Sequence, residues 1–147
     1  MRFELLLHVL SVVVWVGGMF VAHQAVRPAA LEALEPPQRL RLWTGIFVRF
    51  FRWVWLAVIL ILGTGFSLMM RMPSLPAYVL AMAVIGVLMS VIFVHVYFAP
   101  FRRLKRAVQK EDWKAGGAAL GQIRVLVGVN LALGLLNIAV AMLGPVL

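Results

Sequence analysis

The chain has 147 residues, 64% of them hydrophobic, with a formal net charge of +9, a mean hydropathy of +1.01 and no cysteine. A water-soluble domain this short could not bury so much apolar surface, which excludes that class. The absence of cysteine excludes disulfides, thiolate metal sites, iron–sulfur clusters and covalently attached haem, leaving His, Met, Asn, backbone and a few acids as metal ligands.

Four apolar runs reach the roughly 20 residues a bilayer crossing requires. They cover about 3–23, 51–70, 77–99 and 123–143. The expected fold is an all-α membrane protein: one domain over 1–147, built as an antiparallel bundle of four transmembrane helices. The first run lacks a charged start followed by a small-residue cleavage site, so it reads as a span and not as a signal peptide.

The first span carries a histidine near each end, His8 and His23. Helical spacing puts His8, Ser11, Trp15, Gly18 and Ala22 on one face. An ionisable side chain inside a span is a functional hypothesis by default. Pro36-Pro37 then breaks the chain, and Pro37 suits the first turn of a new helix. Arg49 and Arg52 follow among aromatics. They either snorkel to lipid phosphates or hold an acidic group of a ligand, such as haem propionates.

The second span contains Gly63-Thr64-Gly65, small enough for close helix packing or for a flat cofactor. The short connection 73–76 predicts that the second and third spans form an antiparallel hairpin. The third span carries Met82, Gly86, Met89 and His95 and ends at Pro100. A basic cytoplasmic loop over 100–120 follows. It holds a short amphipathic helix on the membrane surface, around 101–114, and a flexible joint at Gly116-Gly117. In the last span Asn130, Gly134, Asn137 and Ala141 recur on one face. Amides in lipid need partners, so that face looks into the bundle.

The basic residues fall in or beside the first and third connections, with only Arg2 and Arg71 on the other side. The positive-inside rule then puts those loops in the cytoplasm and both termini outside, as in a bacterial-type inner (plasma) membrane. The basic loop meets anionic lipid. It lacks the interleaved aromatics of single-strand binders, so nucleic acid is not an expected partner.

Depth along the helices separates the candidate ligands. His8 and His95 differ by roughly 15 Å at 1.5 Å per residue, too far to share one metal. Two centres are therefore expected. The outer one combines His8 with methionines, Met82 at matching depth, and Asn137 in support; it suits Cu(I) or haem. The inner one pairs His95 with His23 beside Arg49, Arg52 and Arg124, and suits a bis-His haem. No zinc-hydrolase motif, nucleophile–His–acid set or phosphate loop is present. With no carboxylate inside a span, a carboxylate-driven proton pump is not expected.

His8, then Trp15 followed by Val-Gly-Gly-Met-Phe, resembles the first span of CopD-type copper-resistance membrane domains. The spacing is also similar to that of HemJ, a haem-dependent protoporphyrinogen oxidase family of four spans. His95-Val-Tyr-Phe-Ala-Pro, Ile123-Arg124 and Asn130-Leu-Ala-Leu-Gly134 look like small CopD-like proteins too. The resemblance implies a four-helix membrane fold with copper or haem chemistry, and carries His8 over as a site residue. HemJ has a lysine in its third span; here Lys105, Lys110 and Lys114 all lie in the basic loop, so the likeness does not extend to protoporphyrinogen oxidation.

The functional expectation is a haem b protein passing electrons between a membrane redox partner or quinone and an acceptor. Trp15, Asn137 and the arginines would line the haem sites. The alternative is copper handling by His8 and the outer methionines, and a third class is an assembly subunit without a cofactor. Gly17-Gly18 or Gly63 with Gly65 are equally suited to line a homo-oligomer interface.

Overall fold

The computed structural model describes residues 1–146, and all regular structure among them is helical. Helix α1 (Arg2–Val21) runs through a π-helical segment (Ala22–Val26) into α2 (Arg27–Ala33). Helix α3 spans Pro36–Met70, α4 Ala77–Phe98, α5 Pro100–Gln109 and α6 Trp113–Leu143. The breaks have local causes. Leu34 and Glu35 are extended, Pro36 and Pro37 occupy the first turn of α3, and Glu35 with Gln38 forms a reciprocal capping box. Ala99, ahead of Pro100, leaves the helical region and separates α4 from α5. Glu111 adopts a left-handed φ of 54° after α5, and Asp112 caps α6 by accepting from the Ala115 N–H at 3.1 Å.

The four long apolar helical stretches run Arg2–Ala33, Pro36–Met70, Ala77–Gln109 and Trp113–Val146. At 1.5 Å per residue each is about 50 Å long, well beyond a hydrocarbon core of about 30 Å. The helices therefore continue past the expected limits of the spans. The first does not stop at His23, and α3 begins far ahead of residue 51. Both extensions occur at the basic end of the bundle. Large apolar side chains such as Val13, Ile59, Phe66, Val84 and Val125 are exposed around the outside. On a chain this apolar, such a belt is a lipid-facing surface, and the protein is a multi-pass membrane protein.

The helices pack as two antiparallel pairs, α1 with α3 and α4 with α6, while α1 and α4 occupy opposite corners. The connection between α3 and α4 is short as expected, yet the main partner of α4 is α6 and not its sequence neighbour. Two amides account for this. Asn130 Nδ2 donates to the Met89 carbonyl at 3.2 Å and Asn137 Nδ2 to the Met82 carbonyl at 3.3 Å. Two positions seven apart on α6 thus reach two positions seven apart on α4, in antiparallel register. Gly134 sits between the amides, where a Cβ would come within 2.9 Å of Val16 and 3.1 Å of Met89. The amide-bearing face does look into the bundle: Asn130 and Gly134 are buried and Asn137 is half-buried. Replacing Asn130 with Ala should cost about 0.6 kcal/mol and at most about 1.7 kcal/mol, the average and maximum for interhelical polar contacts in membranes. Equilibrium unfolding of the purified protein in detergent micelles measures this.

Helix α5 is the amphipathic helix expected after the third span. It folds back on α6 and buries Phe101, Leu104 and Ala107 against the bundle. Phe101 closes an aromatic cluster, with its ring 5.0 Å from Phe51, which is itself 5.4 Å from Phe93. Gly116 and Gly117 are not a joint. Both lie inside α6, and Gly116 is packed so that a Cβ would meet Leu40 at 3.1 Å. A glycine pair here serves close approach of α6 to α3, not flexibility.

Candidate functional site

The seam between α1 and α3 carries a polar column at the end of the bundle that bears the N-terminus. Glu4 occupies the first turn of α1. Its Oε1 accepts from Ser67 Oγ at 2.9 Å and from Arg71 Nη2 at 3.1 Å. The other oxygen faces the N-terminal ammonium at 3.4 Å. A carboxylate is therefore present within the first apolar helix, contrary to the sequence expectation. Its closeness to the chain start hid it.

One helical turn deeper is His8, half-buried, with Nδ1 2.9 Å from Thr64 Oγ1. The direction of that bond follows from its neighbour. Thr64 is buried and its hydroxyl donates to the Leu60 carbonyl one turn back. A hydroxyl has one proton, so toward His8 the oxygen acts as acceptor and Nδ1 is the protonated nitrogen. The neutral imidazole then carries its free lone pair on Nε2. Gly65 makes room for the ring: a Cβ there would stand 3.3 Å from His8 Cε1. Gly63-Thr64-Gly65 was legible as a small-residue motif, but the role of its central hydroxyl was not. Below His8 the bundle axis is filled by Trp15, which is buried with its ring edge-on to Phe93 at 6.2 Å. Trp15 is a packing residue.

A second feature lies at the opposite, basic end. The π segment, α2, the start of α3 and the start of α6 enclose a cavity of about 240 Å³. His23, Arg27, Arg39 and Arg124 line it together with Trp43 and Trp113. The π segment matters here because its wider turn shifts the helix register at His23, one of the positions where such segments recur at functional sites. Gly128 of α6 leaves space for the imidazole, with a Cβ placed 3.1 Å from His23 Nε2.

The remaining predicted residues divide differently from expectation. Of the inner set, His23 and Arg124 come together at the cavity, joined by Arg27 and Arg39 of the first connection. His95 is exposed on α4 and does not line the cavity, so the expected His23–His95 pairing is not formed. Arg49 and Arg52 are also exposed and away from it, with Arg49 Nη1 donating to its own helix at the Gly45 carbonyl, 3.0 Å. The helical positions of His95, Arg49 and Arg52 point outward, which depth arithmetic along a single helix could not reveal. Of the outer set, Met82 and Asn137 meet each other across α4 and α6, whereas His8 sits on the α1–α3 seam. Among the described residues, no group of three or more His, Asp or Glu side chains is arranged to hold a metal.

No curated protein and no solved structure matches the chain. The family model described as copper resistance protein D, CopD, matches residues 44–143. The matched stretch contains Thr64, Gly65 and both asparagines, and starts after His8 and His23. It covers well over half of the sequence, and with the four apolar helices around it, the chain belongs to the CopD family of membrane proteins implicated in copper resistance.

Proposed function

We propose that this protein takes up Cu(I) as cargo at the end of the bundle bearing the N-terminus, with His8 Nε2 as its imidazole ligand. The observation that carries the proposal is the His8–Thr64–Leu60 relay, which supports a fixed tautomer with Nε2 free. Metal-binding histidines are commonly oriented in this way by the bond their other nitrogen makes. A soft ion favours imidazole and thioether donors. Met69 lies one turn beyond Gly65 on the same face of α3 and is the thioether best placed along the chain to join His8. Glu4, one turn above, is held by Ser67, Arg71 and the N-terminal ammonium, so its charge is met there and the ion depends on His8 and the thioether. With both basic connections at the far end, the positive-inside rule puts this end outside the cytoplasm, in a bacterial-type inner membrane. The packed Trp15 layer below favours capture and holding over an open channel.

Thr64→Val tests the relay without touching the ligand. Removing the hydroxyl should weaken Cu(I) binding about 10–100-fold, as for other outer-shell partners, and Thr64→Ser should restore it. Competition with a chromophoric Cu(I) chelator reads both. Equal affinity in all three proteins would remove the relay from the site.

A haem b electron carrier fits the residues less well. The cavity at the basic end offers His23 and arginines for propionates, but its roughly 240 Å³ lies below the usual 300–1,000 Å³ of small-molecule sites, and a tetrapyrrole sits high in that range. Its expected second ligand, His95, faces outward. The purified protein is expected to contain copper by elemental analysis and to show no Soret band.

A further inference from the structure

The cavity at the basic end is distant from the copper entrance and has a chemistry of its own. Its polar lining is entirely cationic or imidazole: Arg27, Arg39, Arg124 and His23. No carboxylate lines it. Among the described residues, none of the three arginines has an acidic partner within salt-bridge distance; the ion pairs formed involve Arg41, Arg71 and the N-terminus instead. Three like charges facing one partly enclosed space repel one another, and an anion entering it would relieve that repulsion. Arginine is also the residue suited to bidentate recognition of phosphate.

The rest of the lining is apolar. Leu40, Trp43 and Phe47 of α3 and Ile123 of α6 form a floor, and all four are buried. Trp113 forms part of the wall and is held in place from behind. The Arg41 guanidinium lies 5.0 Å from its ring centroid and is itself paired with Glu111 at 3.1 Å. Arg41 is thus committed to the wall, whereas the three lining arginines are uncommitted. A cationic rim over an aromatic floor fits a ligand with an anionic head and an apolar body. The height is right for a membrane component as well: the floor and Arg124 lie at the expected inner ends of the first and last spans, and Arg27 and Arg39 lie beyond them.

We propose that this cavity binds an amphiphile with a net-anionic phosphate head, the phosphate on Arg27, Arg39 and Arg124 and the first part of the apolar body over Trp43 and Phe47. A bilayer phospholipid and a soluble phosphate ester share this chemistry. The site is independent of the His8 copper reading, since no residue is common to both.

The test uses the full-length protein in a neutral detergent, with dihexanoyl phosphatidic acid, dihexanoyl phosphatidylcholine and inorganic phosphate as probes. Native mass spectrometry and thermal melting read binding. The expected result is a one-to-one adduct with phosphatidic acid and a rise in melting temperature. Arg39→Gln with Arg124→Gln should weaken binding about tenfold or more. Arg102→Gln with Arg106→Gln, which removes the same charge from the exposed face of α5, should leave it unchanged. Weak binding of inorganic phosphate alongside tight phosphatidic acid would identify the lipid as source. Equal affinity for both would show that the apolar floor takes no part and would overturn the amphiphile. Binding that survives the Arg39/Arg124 substitutions, or falls equally in the Arg102/Arg106 control, would overturn the proposal, since only diffuse surface charge would then be involved. Phosphatidylcholine binding as tight as phosphatidic acid would overturn it as well.

Discussion

Purified His8→Ala protein should carry copper only at background level while inserting and folding normally. The loss should exceed that of Thr64→Val, because the substitution removes the donor atom itself and not the group that orients it. The structural cost is small by comparison. The Thr64 hydroxyl keeps its bond to Leu60, so the missing imidazole removes one hydrogen bond of roughly 0.5–1.5 kcal/mol. Ala is also well tolerated in a helix. Copper per protein by elemental analysis, paired with a melting curve, separates ligand loss from unfolding. A fully copper-loaded His8→Ala protein would falsify the assignment, and the search would move to the methionines. His95→Ala is the matching control. As an exposed residue on α4 it should leave copper content unchanged.

A large structural effect is expected at Gly134. This residue lies where α1, α4 and α6 converge, and an added Cβ would come within 2.9 Å of Val16 Cγ2. Val16 is buried, short and β-branched, so it cannot swing aside as a long side chain could. Met89, at 3.1 Å, can yield more easily. Gly134→Ala should therefore force α6 away from α1 and lower stability by about 1–3 kcal/mol, the usual cost of overpacking. Gly134→Val should cost more. The same shift would stretch the flanking amide bonds from Asn130 and Asn137, so Gly134→Ala and Asn130→Ala should be non-additive in a double-mutant cycle. Gly63 is the contrast: nothing stands within 4 Å of a Cβ there, and Gly63→Ala should be neutral or slightly stabilising through helix propensity.

Four apolar runs of spanning length, their all-α character and the clustering of basic residues at one end were determined by the sequence itself. These features depend on composition and order along the chain: lipid requires every backbone group to be bonded within its own helix, which leaves little choice of structure. The inward face of α6 was also legible, since amides at helical spacing must find partners. What the sequence could not decide was which helix supplies them. Loop length pointed α4 toward α3, but the seam is chosen by Gly134 fitting Val16 and Met89 and by two asparagines matching carbonyls seven residues apart, a complementarity visible only once both helices are side by side. The candidate sites divide in the same way. His8 stood out as an ionisable group in an apolar run. Its tautomer depends on Thr64, 56 positions away, whose own proton is already committed to Leu60. The cavity at the basic end depends on the π segment, which rotates His23 and Arg27 by an amount that regular helical spacing does not anticipate. His95 shows the converse: depth along one helix placed it level with His23, but rotation about the helix axis, set by how α4 packs on α6, turns it to the outside.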